Sequence, residues 1–182
     1  MQRLYGLNPP KKVVVIGPEC TGKSELSEFL ANCFNTRWVA EYAREYLDAL
    51  TQPYQEHDLL TMARGQLLRE TQQMAYANRV LICDTNLLVI KIWSYYKYGR
   101  CDEDILRLIN PHAYDLYLLT YIDIPWEDDP QREHPHQREV LWNIYREELQ
   151  RQRVSWIDIR GDRMERRKAA VAAVENLLKK IT

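Results

Sequence analysis

An apolar run, Val13-Val14-Val15-Ile16, leads without a break into Gly17-Pro18-Glu19-Cys20-Thr21-Gly22-Lys23-Ser24, a complete G-x-x-x-x-G-K-[ST] loop. No other stretch constrains the fold as tightly. The loop works only between a buried strand and a helix starting at its lysine, so it dictates the order strand, glycine-rich turn, helix. Gly17 and Gly22 allow backbone geometry that a side chain would obstruct. The N–H groups of Glu19, Cys20, Thr21 and Gly22 can then converge on phosphate oxygens. The helix that follows aims its positive end at the same anion. Lys23 is expected to neutralise the β- and γ-phosphates, and the Ser24 hydroxyl to ligate magnesium. A chain built this way is expected to bind a nucleoside triphosphate.

Downstream, short apolar runs alternate with segments of helical period. After the first strand come expected strands at 37–40, 80–83, 116–120 and 154–159. Helices are expected from the loop to about 35, then over 42–50, 55–77, 87–96, 103–109, 141–152 and 163–181. This alternation predicts an α/β three-layer sandwich, a five-stranded parallel sheet with helices on both faces. Residues 1–11, with Gly6 and the Pro9-Pro10 pair, read as a leader, and 12–182 as one domain. Residues 122–138 are dense in proline, charge and histidine and carry no period. That segment is too long and polar for a simple connector and reads as a lid.

A net charge of −1 argues against a general polyanion-binding surface, and so against nucleic acid as the main partner. Cys20, Cys33, Cys83 and Cys101 show no C-x-x-C spacing and follow no secretory signal, the pattern of reduced cytosolic thiols. No apolar stretch approaches the ~20 residues that span a bilayer. A cytoplasmic protein acting on a small molecule is expected, with homo-oligomerisation left open.

Several residues could carry chemistry. Asp84 closes the third apolar strand, where an acidic residue after a phosphate loop partners the metal; a cap for the next helix is the alternative, and the loop at 17–24 favours the metal role. Glu41 stands at the end of the second strand, where a carboxylate can orient or deprotonate an acceptor hydroxyl, or simply begin a helix. Arg44 lies one turn on and could share that site. Tyr42 and Tyr46 share a helical face, where packing is the plainer role; Tyr42 is kept as an acceptor contact because it adjoins Glu41. In the lid, Arg132 and Arg138 are candidates to stabilise the charge of a transferring phosphoryl group. His134 and His136 lack the companions a zinc site needs. The aromatics Trp93, Tyr95, Tyr96 and Tyr98 suit a core or an interface, or a pocket for a flat ring.

Together these residues resemble the ribosylnicotinamide kinase domain of NadR-type proteins. The resemblance runs from Lys12 onward through GPECTGKS at 17–24, WVAEYAREYL at 38–47, GQLLRE at 65–70 and LICDTN at 81–86. It continues through KIWSYYKYG at 91–99, DLYLLT at 115–120 and IPWEDDPQREHPHQRE at 124–139. It implies a P-loop kinase that uses ATP and Mg2+ to phosphorylate the 5′-hydroxyl of nicotinamide riboside, giving nicotinamide mononucleotide for NAD salvage. By the same resemblance Lys23 and Ser24 hold phosphate and magnesium, Asp84 serves the metal and hydroxyl region, and Arg132 belongs to the lid. Glu41 and Arg44 fall near the riboside, with Asn86 and Trp126 as further substrate contacts. The family often adds a DNA-binding region and an adenylyltransferase domain, for which this chain is expected to have no room. It departs from the pattern at Cys20, usually serine, and at Asn86, often aspartate. A neutral amide attracts a cation less than a carboxylate does. A nucleotide-dependent switch without metabolite kinase activity, and a kinase for another nucleoside, remain open alternatives.

Overall fold

Val13, Val14, Val15 and Ile16 are wholly shielded from solvent, as a strand covered on both faces requires. They form the heart of β1 (Lys11–Ile16) in the computed structural model, which describes residues 9–109 and 114–179. The other strands are β2 (Trp38–Val39), β3 (Val80–Asp84), β4 (Leu116–Thr120) and β5 (Trp156–Ile159). All neighbours pair in parallel, in the order β2-β3-β1-β4-β5. The helices are α1 (Lys23–Cys33), α2 (Tyr42–Asp48), α3 (Asp58–Met74), α4 (Leu87–Tyr98), α5 (Glu103–Ile109), α6 (Arg138–Gln152) and α7 (Arg163–Lys179).

The period of two along each strand divides the core into two layers. Val13, Val15, Ile82 and Leu118 pack on one face against Leu26 and Leu30 of α1 and Ala170 and Val174 of α7. Val14, Ile16, Leu81 and Leu119 pack on the other against Leu88 and Ile92 of α4 and Leu141, Tyr145 and Leu149 of α6. A third cluster joins Leu59, Met62 and Ala63 of α3 to Leu87 and Ile90 of α4 and Ile105 of α5. The fold is the expected three-layer α/β sandwich. Because β1 lies between β3 and β4, the chain leaves it in one direction for β2 and returns on the other side for β4. Ligands bind parallel sheets in the crevice that opens at such a reversal, beyond the carboxyl ends of the strands. The glycine-rich loop occupies that position.

Boundaries differ where local hydrogen bonds intervene. Lys11 belongs to the sheet, since its N–H reaches the Arg79 carbonyl at 2.8 Å and its Nζ pairs with Asp115 at 2.9 Å. Helix α3 starts at Asp58 rather than 55, because Asp58 Oδ2 accepts the Gln55 N–H at 2.7 Å and stabilises a turn there. Helix α6 begins at Arg138 rather than 141, which takes that arginine out of the lid and into a helical first turn. The expected leader up to residue 8 and the end of the last helix at 181 lie outside the described residues. Among the described residues no helix is long and apolar enough to cross a membrane.

Candidate functional site

The loop after β1 is shaped by two positive-φ glycines. Gly17 adopts φ 145° so close to β4 that an added Cβ would stand 2.5 Å from Thr120 Oγ1 and 2.7 Å from the Thr120 carbonyl. Gly22 takes the left-handed conformation, φ 74°, as the residue preceding α1. Between them Cys20 also has positive φ, 53°, which turns the backbone around the anion site. Thr21 Oγ1 donates to the Pro18 carbonyl at 2.8 Å and accepts from Thr120 Oγ1 at 2.7 Å, which also lies 3.1 Å from the Ile16 carbonyl. Lys23 Nζ donates to the Pro18 carbonyl at 2.8 Å, which holds its ammonium over the loop.

The 121–137 segment folds back onto this loop. Glu19 accepts the backbone N–H of Glu133 at 3.1 Å and of His134 at 3.1 Å. Cys20 Sγ accepts the Glu127 N–H at 3.2 Å and Arg132 Nη1 at 3.4 Å, and donates to the Pro125 carbonyl at 3.4 Å. Arg138 donates to the carbonyls of Cys20 at 3.1 Å and Ile124 at 2.9 Å. From α7, the buried Arg166 reaches the Thr21 carbonyl at 2.7 Å, Tyr121 at 2.8 Å and Gly161 at 2.9 Å, and pairs with Asp123.

At the carboxyl end of β3, Asp84 is 1% exposed and its Oδ1 has no hydrogen-bond partner. Burial, and then the negative charge of Glu41, push its carboxyl up to about 7, against the opposing pull of Lys23, Ser24 and Arg44. Glu41 precedes α2 and lies 3.6 Å from Arg44 Nε, while Arg44 Nη1 reaches Asp129 of the lid at 3.1 Å. A cavity opens between the loop and α2, α3, α4 and α6. Its polar wall includes Lys23, Glu41, Arg44 and Arg132; its apolar wall includes Leu59, Met62, Ile90 and Trp93. Such a mixed lining suits both phosphate or hydroxyl chemistry and a flat apolar ring.

The fold thus brings Gly17, Glu19, Lys23, Glu41, Arg44 and Arg132 to one cavity. Asp84 does not line the cavity, but its carboxyl feels the charges of Glu41 and Lys23 and the Ser24 hydroxyl. Three expected acceptor contacts are used elsewhere. The Tyr42 ring covers Gly65 of α3, where an added Cβ would meet it at 2.1 Å, with the Arg69 guanidinium 4.7 Å from its centroid. Asn86 caps α4, its side chain accepting the Leu88 N–H at 3.1 Å. Trp126 bonds Asp128 through its indole N–H at 2.9 Å and stands near the guanidinium groups of Arg132 and Arg138. Of the aromatic group on α4, Trp93 lines the cavity, Tyr96 packs edge-on to His134 at 4.9 Å and Tyr95 is exposed. Among the described residues no group of three His, Cys, Asp or Glu could hold a metal, so His134 and His136 have no companions.

Sequence reasoning missed Thr120 and Arg166. Thr120 left a faint signal as the lone polar residue ending an apolar strand. Arg166 left none, because it stands in a helix beside Arg163, Arg167 and Lys168.

A family model described as AAA domain matches residues 12–167. The trifunctional NAD biosynthesis/regulator protein NadR of Salmonella typhimurium is 27% identical over 158 residues, covering 82% of this chain and 38% of that relative. The chain therefore spans well under half of that relative's length. Among solved structures, NadR protein in complex with NR matches with a TM-score of 0.81 at 22% identity, over 94% of this chain and 52% of that one. NadR protein in complex with NAD and AMP-PNP matches at 0.76 and 21% identity, over 94% and 50%.

Proposed function

The chain belongs to the AAA domain family and is homologous to NadR, and on that premise we propose that it is an ATP-dependent kinase for the 5′-hydroxyl of nicotinamide riboside. One observation carries this reading: Lys23 of the phosphate loop and Glu41 line the same cavity as Trp93 and an apolar wall. A donor phosphate on the loop and a nucleoside hydroxyl in the cavity would then meet near Glu41. The NadR proteins solved with NR and with AMP-PNP support it by their likeness in fold.

In this mechanism the loop N–H groups and Lys23 bind the β- and γ-phosphates, and Arg132 neutralises charge on the transferring group. Glu41 orients the acceptor hydroxyl and takes its proton late, because it lines the cavity whereas Asp84 is buried and does not. Reach decides between the two carboxylates before proton affinity does. Asp84, with an unpartnered oxygen, and Ser24, at the start of α1, fit the expected magnesium ion. Magnesium, when bound, supplies neutralisation of phosphate charge. The Asn86 side chain caps α4, and what separates a regulatory switch from a kinase is whether turnover depends on the acceptor.

The test is ADP formation by the purified protein with ATP and Mg2+, with and without nicotinamide riboside, together with detection of the mononucleotide. Riboside-dependent ADP with equimolar mononucleotide is expected. Riboside-independent turnover, or a different nucleoside preferred in an acceptor panel by kcat/KM, would overturn the assignment.

A further inference from the structure

Arg44 stands between two carboxylates and is bonded to one of them. Its Nη1 donates to Asp129 Oδ2 of the lid at 3.1 Å, whereas its Nε is 3.6 Å from Glu41 Oε2, beyond hydrogen-bond length. Glu41 lines the acceptor cavity with its side chain 20% exposed, so its carboxylate is open to a ligand. Asp129 does not line that cavity and acts on it through the groups it holds.

Asp129 is itself fixed in place. Its Oδ1 accepts the Gln131 N–H at 2.9 Å and its carbonyl accepts the Arg132 N–H at 3.0 Å, a turn closed by an aspartate side chain. Gln131 Nε2 fastens the same turn to α2, donating to the Arg44 carbonyl at 3.2 Å and to Asp48 Oδ1 at 2.6 Å. The Gln131 N–H, with Arg44 and Arg132, holds the Asp129 carboxyl below the usual carboxylate range, so it is ionised at neutral pH. The Arg44 and Asp129 side chains are 42% and 24% exposed, and a pair so exposed adds little to stability. What it supplies is direction. Released from Asp129, the Arg44 guanidinium has Glu41 as its nearest carboxylate, and a small rotation would convert the 3.6 Å approach into a two-point pair. A carboxylate paired in that way has its oxygens occupied and is a poor partner for a hydroxyl.

We propose that Asp129 is a positioning residue for phosphoryl transfer: by holding Arg44 on the lid it keeps the Glu41 carboxylate free to meet the acceptor hydroxyl. The inference rests on the reading of the chain as a kinase with Glu41 on the acceptor side.

The experiment measures kcat and both KM values for the wild type, Asp129→Asn, Arg44→Met and the double variant, using the riboside that the acceptor panel shows to be turned over best. Asparagine keeps an oxygen to close the turn and removes the charge. Asp129→Asn is expected to lower kcat about tenfold, with KM for ATP within about twofold of the wild type. Its melting temperature should stay within about 2 °C. In the Arg44→Met background no guanidinium is left to fall onto Glu41, so the same substitution should cost less than about twofold. A full tenfold loss in that background would overturn the proposal, since Asp129 would then act without Arg44, as a residue that only anchors the lid does. A kcat for Asp129→Asn equal to that of the wild type would overturn it as well. Preference for a riboside other than nicotinamide riboside would overturn that assignment and leave the role of Asp129 to be decided by the same four proteins. Phosphorylation of no riboside by the wild type would overturn both readings.

Discussion

Cys20 of the phosphate loop accepts the backbone N–H of Glu127 at 3.2 Å, so one sulfur ties the loop to the lid across 107 positions of sequence. The same atom holds Arg132 Nη1 at 3.4 Å and donates to Pro125 at 3.4 Å. Cys20→Ala removes all three contacts without adding bulk. Its kcat/KM for ATP is expected to fall about tenfold, while Cys20→Ser keeps a polar atom and stays within about threefold. Steady-state kinetics at varied ATP decides. Equal losses in the two variants would mean that the sulfur's contacts do not hold the lid.

Lys23→Ala removes the ammonium held over the glycine-rich loop by the Pro18 carbonyl and leaves the core untouched. Transfer is expected to drop at least about a hundredfold, as when an electrostatic stabiliser is lost from a transition state. The melting temperature should stay within about 2 °C. Single-turnover phosphorylation together with a thermal melt measures both, and full activity would exclude the loop from the chemistry.

Gly17→Ala tests the packing of the loop on β4. The new methyl would stand 2.5 Å from Thr120 Oγ1 and 2.7 Å from its carbonyl, at a backbone φ of 145° that other residues rarely adopt. A destabilisation of about 2–4 kcal/mol is expected from steric displacement plus backbone strain. ATP should no longer raise the melting temperature of the variant, because the N–H groups that bind phosphate move with residue 17.

Arg166→Met probes the tie from α7. The guanidinium serves the carbonyls of Thr21, Tyr121 and Gly161 and the Asp123 carboxylate from a site 4% exposed. Removing it strands these acceptors, at a cost of about 3 kcal/mol. Arg166→Lys should recover little, since one ammonium cannot reproduce a planar fork of donors. Urea unfolding gives the stabilities, and near-complete rescue by lysine would reduce Arg166 to a simple charge.

Asp84 makes stability depend on pH with a defined sign. Its carboxyl is pushed up to about 7, first by burial and then by Glu41, whereas an unfolded aspartate titrates near ~3.9. Below ~3.9 both states hold the proton and the buried neutral carboxyl carries no penalty; between these values the unfolded chain ionises while the folded protein does not, so stability falls as pH rises. The loss is complete once pH passes about 7, where the folded carboxyl ionises as well. Asp84→Asn lacks this term. Its melting temperature relative to the wild type, without nucleotide, should therefore climb between about pH 4 and 7 and level off above. A constant difference across that range would refute the assignment of the proton to Asp84.

The fold was legible because its signals are local. Val13–Ile16 is apolar on both faces, the loop after it places glycines at two of its three positive-φ positions, and strands alternate with helical segments. The site was legible only in outline. Tyr42, Asn86 and Trp126 stood near the right motifs, yet each side chain finds a nearer partner in Gly65, the Leu88 N–H or Asp128. A motif gives a residue's neighbourhood; the direction of its side chain depends on packing from other elements.

What this chain determined by sequence alone is the strand–loop–helix that grips an anion, since backbone sterics and hydrogen bonds within a dozen residues suffice to build it. Tertiary structure decided how that grip is completed. Arg166 lies 145 positions from Thr21, and Arg132 lies 112 from Cys20. Glu41 lines the cavity while Asp84 is buried and does not, although one follows β2 by two residues and the other ends the neighbouring β3. The orientation of the Gln131 amide depends on acceptors 87 and 83 positions away. Contacts of such separation form only when the whole sheet is assembled, and no pattern along the chain encodes which donor will meet which acceptor.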